Sequence, residues 1–132
     1  MNWMKKLLAL CSMLVVLCSA MSFAEEAVPY ADSEFFIASA SLDSTKMVTF
    51  SCTTHQKKES IAITKCFLQK KTNNVWMKVR DLDVPSYVAV NTNAYASYMD
   101  YSDQIGSGTF RVGFTVDADG HAITRYSNSR TF

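Results

Sequence analysis

The residues best equipped for chemistry in this 132-residue chain are two thiols, Cys52 and Cys66, and two imidazoles, His55 and His121. A thiol nucleophile needs a base within hydrogen-bond reach. His55 follows Cys52 by three residues, and in an extended strand that parity turns the two side chains to opposite faces. Structural zinc asks for paired short spacings, and Cys52-x-x-His55 has no second pair. Asp117-Ala118-Asp119-Gly120-His121 has the opening spacing of a calcium loop, but residues 121–128 contain no acid to complete it, whereas an Asp-Gly hairpin tip accounts for the same letters. Ser107, in Gly106-Ser107-Gly108, lacks the Gly-x-Ser-x-Gly elbow of a serine hydrolase. Asp100 and Asp103 read as solvating surface charges. The sequence therefore assigns no catalytic residue, no metal ligand and no cofactor. Cys52 and Cys66 are candidates for a disulfide, with two buried free thiols as the alternative.

The elements that would position these residues repeat every second residue. In Thr109–Asp117, Phe110, Val112, Phe114 and Val116 fall on one face and polar residues with Gly113 on the other, the pattern of a strand with one buried face. Residues 46–54 repeat it with Val48, Phe50 and Cys52. An opening strand over 34–42 is expected to bury Phe36, Ala38, Ala40 and Leu42. Residues 60–70 and 75–81 form a hairpin about the polar turn 71–74, with a bulge at Thr64-Lys65 where the apolar parity changes from Ile61 and Ile63 to Cys66 and Leu68. Segments 86–91, 94–101 and 122–127 add shorter strands, and Asp119-Gly120 turns between the last two. Seven or eight strands without an amphipathic helix must bury their faces sheet against sheet, which predicts an all-β sandwich.

The N-terminus has another purpose. Lys5 and Lys6 precede an apolar run from Leu7 to Cys18, and Ser22-Phe23-Ala24 offers a cleavage site before Glu25-Glu26. A run of about a dozen residues is too short for the roughly 20 that span a bilayer. Leu10 and Leu17 stand before Cys11 and Cys18, where a lipoprotein signal would carry a small residue. The expected organisation is a signal peptide over 1–24, a flexible leader over 25–33 and a β-sandwich over 34–132. The product is expected to be secreted, without stable membrane insertion once the signal is cleaved. Losing Lys5 and Lys6 leaves 11 basic against 12 acidic residues, a balance that argues against nucleic acid as a partner.

Charge and aromatic residues are unevenly placed. Residues 57–80 contain seven basic side chains against Glu59, and residues 81–119 contain six Asp against Arg111. Lys65, Lys70, Lys71, Lys78 and Arg80 read first as guards of a sheet edge, since charge there deters strand-to-strand aggregation. The alternative is a docking patch for an anionic partner. Tyr95, Tyr98 and Tyr101 form a second candidate binding surface. Parity places Tyr95, Met99 and Tyr101 on one face and Tyr98 on the other, so part of the cluster belongs to the core.

The closing segment GTFRVGFTVDADGHAITRYSNSRTF resembles the last two strands of a fibronectin type III or immunoglobulin-like domain, with Phe110 where such domains usually carry Tyr. With the signal, SIAITKCFLQKK and NNVWMKV, the chain also looks like an uncharacterised family of short secreted proteins of Gram-positive gut bacteria. The resemblance implies an immunoglobulin-like sandwich and transfers no catalytic residue. The expectation is a secreted, non-catalytic binding or interaction module for a protein or glycan partner. Carbohydrate or cell-wall attachment through the Tyr-rich or basic surface is one alternative, and a small secreted hydrolase another.

Overall fold

The computed structural model describes residues 32–132. The expected signal peptide and nearly all of the leader lie outside the described residues. Seven strands follow: β1 (Phe35–Leu42), β2 (Met47–Thr72), β3 (Val75–Leu82), β4 (Val88–Asp100), β5 (Thr109–Ala118), β6 (His121–Tyr126) and β7 (Arg130–Thr131). Every pairing is antiparallel. The strands join in one strongly curled sheet, a half-barrel, where the sequence predicted two sheets facing each other.

The spine is β2. Its first half pairs with β1 along one edge and β4 along the other; its second half pairs with β5 along the first edge and with β3 and the start of β4 along the second. The sequence pattern divided this 26-residue strand in two, because His55-Gln56-Lys57-Lys58-Glu59 has the polarity of a loop. The backbone stays extended there. Between Thr53, opposite Ala94, and Lys58, opposite Thr92, the register slips, so residues 54–57 bulge against Asn93 alone. Asn91 follows with φ 51°. Such an excess on one strand bends and twists a pair, and here it folds the sheet over its own inner face. Segments 86–91 and 94–101, expected as separate strands, are for the same reason one strand.

The inner face is the core. Val48, Phe50 and Cys52 project from the first half of β2, and Ile61, Ile63, Cys66 and Leu68 from the second. Phe50 meets Phe114 edge to face at 5.3 Å. Phe110, Val112, Phe114 and Val116 are all buried, as their alternation predicts. The expected bulge falls at Thr64, between Ile63 opposite Val116 and Lys65 opposite Thr115. Strand β1 departs from its predicted row. A register shift between Phe35 and Ile37 turns Phe35 inward and leaves Phe36 69% exposed, its ring edge-on to His55.

Two tight turns set the hairpins. Asn73 and Asn74 have φ of 51° and 62°, and Asp119 and Gly120 have 50° and 90°, the left-handed pairs that two-residue hairpin loops require. The seam between β1 and the β6–β7 segment is fastened by side chains. Asn128 accepts from the Leu42 amide at 2.8 Å and donates to its carbonyl at 3.0 Å, where Arg130 also donates. At the other end, Asp32 meets His121.

Candidate functional site

The fold separates the residues that the sequence grouped. Tyr95 and Tyr101 are buried, which removes them from any binding surface. The Tyr101 hydroxyl donates to the Asp83 carbonyl at 2.6 Å, and Ser97 donates to the Tyr95 oxygen at 2.8 Å. Tyr98 alone of the three projects outward, 70% exposed. The basic residues divide by strand. Lys78 and Arg80 lie on β3, which among the described residues pairs with β2 alone, so both stand on a sheet edge. Lys65 and Lys71 stand on the spine, paired with β5 or β3, where edge protection has no purpose. Lys70 belongs to the inner row, at its open end, with Nζ 5.6 Å from the Phe110 ring centre.

Cross-strand register shows what accompanies Lys65 and Lys71. Antiparallel partners share a face, so Phe67 with Gly113 and Tyr126, Gln69 with Lys78 and Arg111, and Lys71 with Trp76 all lie on the outer face of β3, β2, β5 and β6. The Arg111 guanidinium is held between two rings, 4.5 Å from the Trp76 centre and 4.1 Å from that of Tyr126, and its Nε donates to Gln69 at 2.7 Å. Lys71 and Lys65 reach over Trp76 and Phe67 at 5.8 and 5.7 Å. Phe67 lies across Gly113 so closely that a β-carbon there would stand 2.2 Å from its ring, and it meets Tyr126 edge-on at 6.0 Å. Gly113 is thus the small residue that lets an aromatic ring cross the sheet. The result is a pair of partly exposed rings, Trp76 and Tyr126, interleaved with cations above a buried Phe67, a surface suited to ligands with flat faces and negative charge.

Sequence reasoning missed Trp76, Arg111, Tyr126, Phe67 and Gly113. A signal was present: Arg111 and Gly113 sit in the outward row of the clearest strand, and Lys71 and Trp76 flank the Asn-Asn turn symmetrically. Reading that row for what it presents, and not only for what it leaves wet, would have found them.

Several of the other polar groups are committed to the fold. Burial opposes the charge of Asp32, but amide hydrogen bonds from Phe35 and Glu34 and a contact from His121 at 3.0 Å outweigh it and hold the carboxyl at about 2. Asp32 is therefore a fixed part of the domain, although it falls in the leader expected to be flexible. Glu34 pairs with Lys58. Asp119 accepts from the Glu59 and Ser60 amides and Asp117 from that of Gly120, so the calcium-like letters fasten a hairpin tip to β2. Cys52 and Cys66 are buried free thiols, one in each half of β2. Burial pushes Cys52 up to about 12 and Cys66 to about 11, which keeps both protonated and weakly nucleophilic at neutral pH.

No family model, curated protein or solved structure matches this chain, so its functional reading rests on the geometry of the outer face.

Proposed function

We propose that this is an exported, non-catalytic binding module that holds an acidic polysaccharide of the cell surface against the outer face of β3, β2, β5 and β6. The observation that carries the reading is Arg111 stacked between Trp76 and Tyr126, with Lys65 and Lys71 beside the same row of rings. Sugar rings are flat enough to lie on aromatic faces, and acidic groups along the polymer would meet the ammonium groups. Export rests on Lys5-Lys6, the apolar run and Ser22-Phe23-Ala24. Kinship with immunoglobulin-like or fibronectin type III sandwiches belongs to the same proposal and rests on the pattern of β5 and β6, not on the sheet's connectivity.

Affinity electrophoresis in gels containing polygalacturonate or a neutral glucan tests the reading. Retardation is expected in the acidic polymer only, and it should weaken with salt, since exposed charges are screened beyond about 8 Å at physiological ionic strength. Trp76→Ala and the pair Lys65→Ser with Lys71→Ser should abolish it, while Phe36→Ala, exposed on β1, leaves it unchanged. Equal retardation by the neutral glucan, or an unaffected Trp76→Ala, would overturn the proposal.

A further inference from the structure

Strand β3 is an edge of unusual composition. Among the described residues it pairs with β2 alone, so its other side presents unpaired backbone groups. Val75, Met77 and Val79 on this strand are exposed. Folded monomers seldom leave apolar side chains gathered along an open strand, which is a template for another strand.

The order of charges along β3 identifies what fits there. Lys78 pairs with Gln69 and Asp81 with Phe67, two residues apart on β2, because a register shift inserts one extra residue between them. Lys78 and Asp81 therefore share a face and a hydrogen-bonding phase despite their odd spacing. Met77, opposite Lys70, and Leu82, opposite Cys66, share the other phase by the same shift. An antiparallel two-fold pairing of β3 with another β3 can thus set Lys78 against Asp81 of the second chain, twice, and Met77 against Leu82, twice. Val79 of one strand then lies against Arg80 of the other, twice. Lys78 and Asp81 already approach to 2.6 Å within one chain, so both heads stand on the surface where the crossed pairs would form.

We propose that a second copy of this chain pairs with the first through β3, in the register that opposes Lys78 and Asp81. Isologous contacts of this kind close as two-fold dimers. The pairing involves neither Arg111 nor Lys71 and stands independently of the polysaccharide reading.

Sedimentation velocity across a concentration series tests it, with circular dichroism to confirm that each variant is folded. The natural chain is expected to dimerise as its concentration rises. Lys78→Asp and Asp81→Lys each place like charges against like, and each should weaken dimerisation by about tenfold or more. Both also lose the ion pair within the chain, so a 1:1 mixture of the two variants is the deciding sample. Opposite charges then face each other across the interface, and the mixture should dimerise where neither variant does alone. A natural chain that stays monomeric throughout the series, single variants that dimerise like it, or a mixture no more associated than its components would each overturn the proposal.

Discussion

The two halves of β2 have the same inside and different outsides. Inward, both present close-packed apolar side chains, and Phe50 from one meets Phe114 against the other. Outward, the first half and its partners present mostly small side chains, Ser39, Ser41, Thr49, Ser51, Ala94 and Ala96, with Ile37 and Tyr98 as the large exceptions. The second half presents Lys65, Gln69, Lys71, Trp76, Arg111 and Tyr126, with Phe67 covered among them. The outer row of the first half carries one exposed ring, Tyr98, and no cation among these cross-strand partners. The concentration of rings and cations on the second half is the main difference between the two outer surfaces.

The largest expected effect tests the common part of that comparison. If both halves contribute equally to one core, Phe50→Ala and Phe114→Ala should each cost about 3–5 kcal/mol in urea unfolding, the usual range for an aromatic ring lost from a packed interior. Both rings are fully buried, so a much smaller loss at either would mean that its half of β2 is packed less tightly than described.

A smaller effect separates the outer faces. At Gly113 a β-carbon would collide with the Phe67 ring. Gly113→Ala must expel that ring from its place beside Tyr126, at about 1–3 kcal/mol of overpacking or lost contact. Ser51→Ala, outward on the first half, should change stability by less than about 0.5 kcal/mol. If the two substitutions were equally mild, the ring arrangement on the second half would be loose decoration. Gly113→Ala should also weaken retardation by polygalacturonate, because Phe67 and Tyr126 would no longer be held in place.

Much of the inner face was legible in the sequence because burial imposes a period of two wherever one side of a strand is wet. The row from Phe110 to Val116, the parity change that marks Thr64 and the shared face of Tyr95 and Tyr101 all follow from that rule, although parity alone did not say that this face turns inward. What the rule could not supply was connectivity. A bend with both faces in solvent has no period, so residues 55–59 looked like the end of a strand, and one curled sheet looked like two. Phe36 failed for a local reason: a single shift beside Phe35 reverses parity, and two adjacent phenylalanines give no sign of which one turns in. The outer face was hidden because its members are distant in sequence. Trp76, Arg111 and Tyr126 become neighbours only through the pairing of β3, β2, β5 and β6.

The smallest effect concerns what fastens the two halves together across the seam. His121, at the start of β6, holds Asp32, just before β1, while Asn128 and Arg130 hold Leu42 at the far end. The Asp32 carboxyl is held down to about 2 in the folded chain, below the ordinary aspartate range. A depressed acid stabilises the fold fully above its unfolded value and loses that contribution as pH falls through its folded value. Asp32 should therefore support the domain at pH 5 and above, and its contribution should fade between about pH 4 and pH 2. Glu34, Asp43, Asp81, Asp100 and Asp119 are depressed as well, so the pH profile of the natural chain alone cannot isolate one of them. Asp32→Asn can, since it removes the charge and keeps an oxygen that accepts from the Glu34 and Phe35 amides. Thermal melts of the two proteins should differ at pH 6 and converge toward pH 2. A difference that persists undiminished at pH 2 would mean that Asp32 acts through shape alone, and that the seam at this end is held by the amides without help from the charge facing His121.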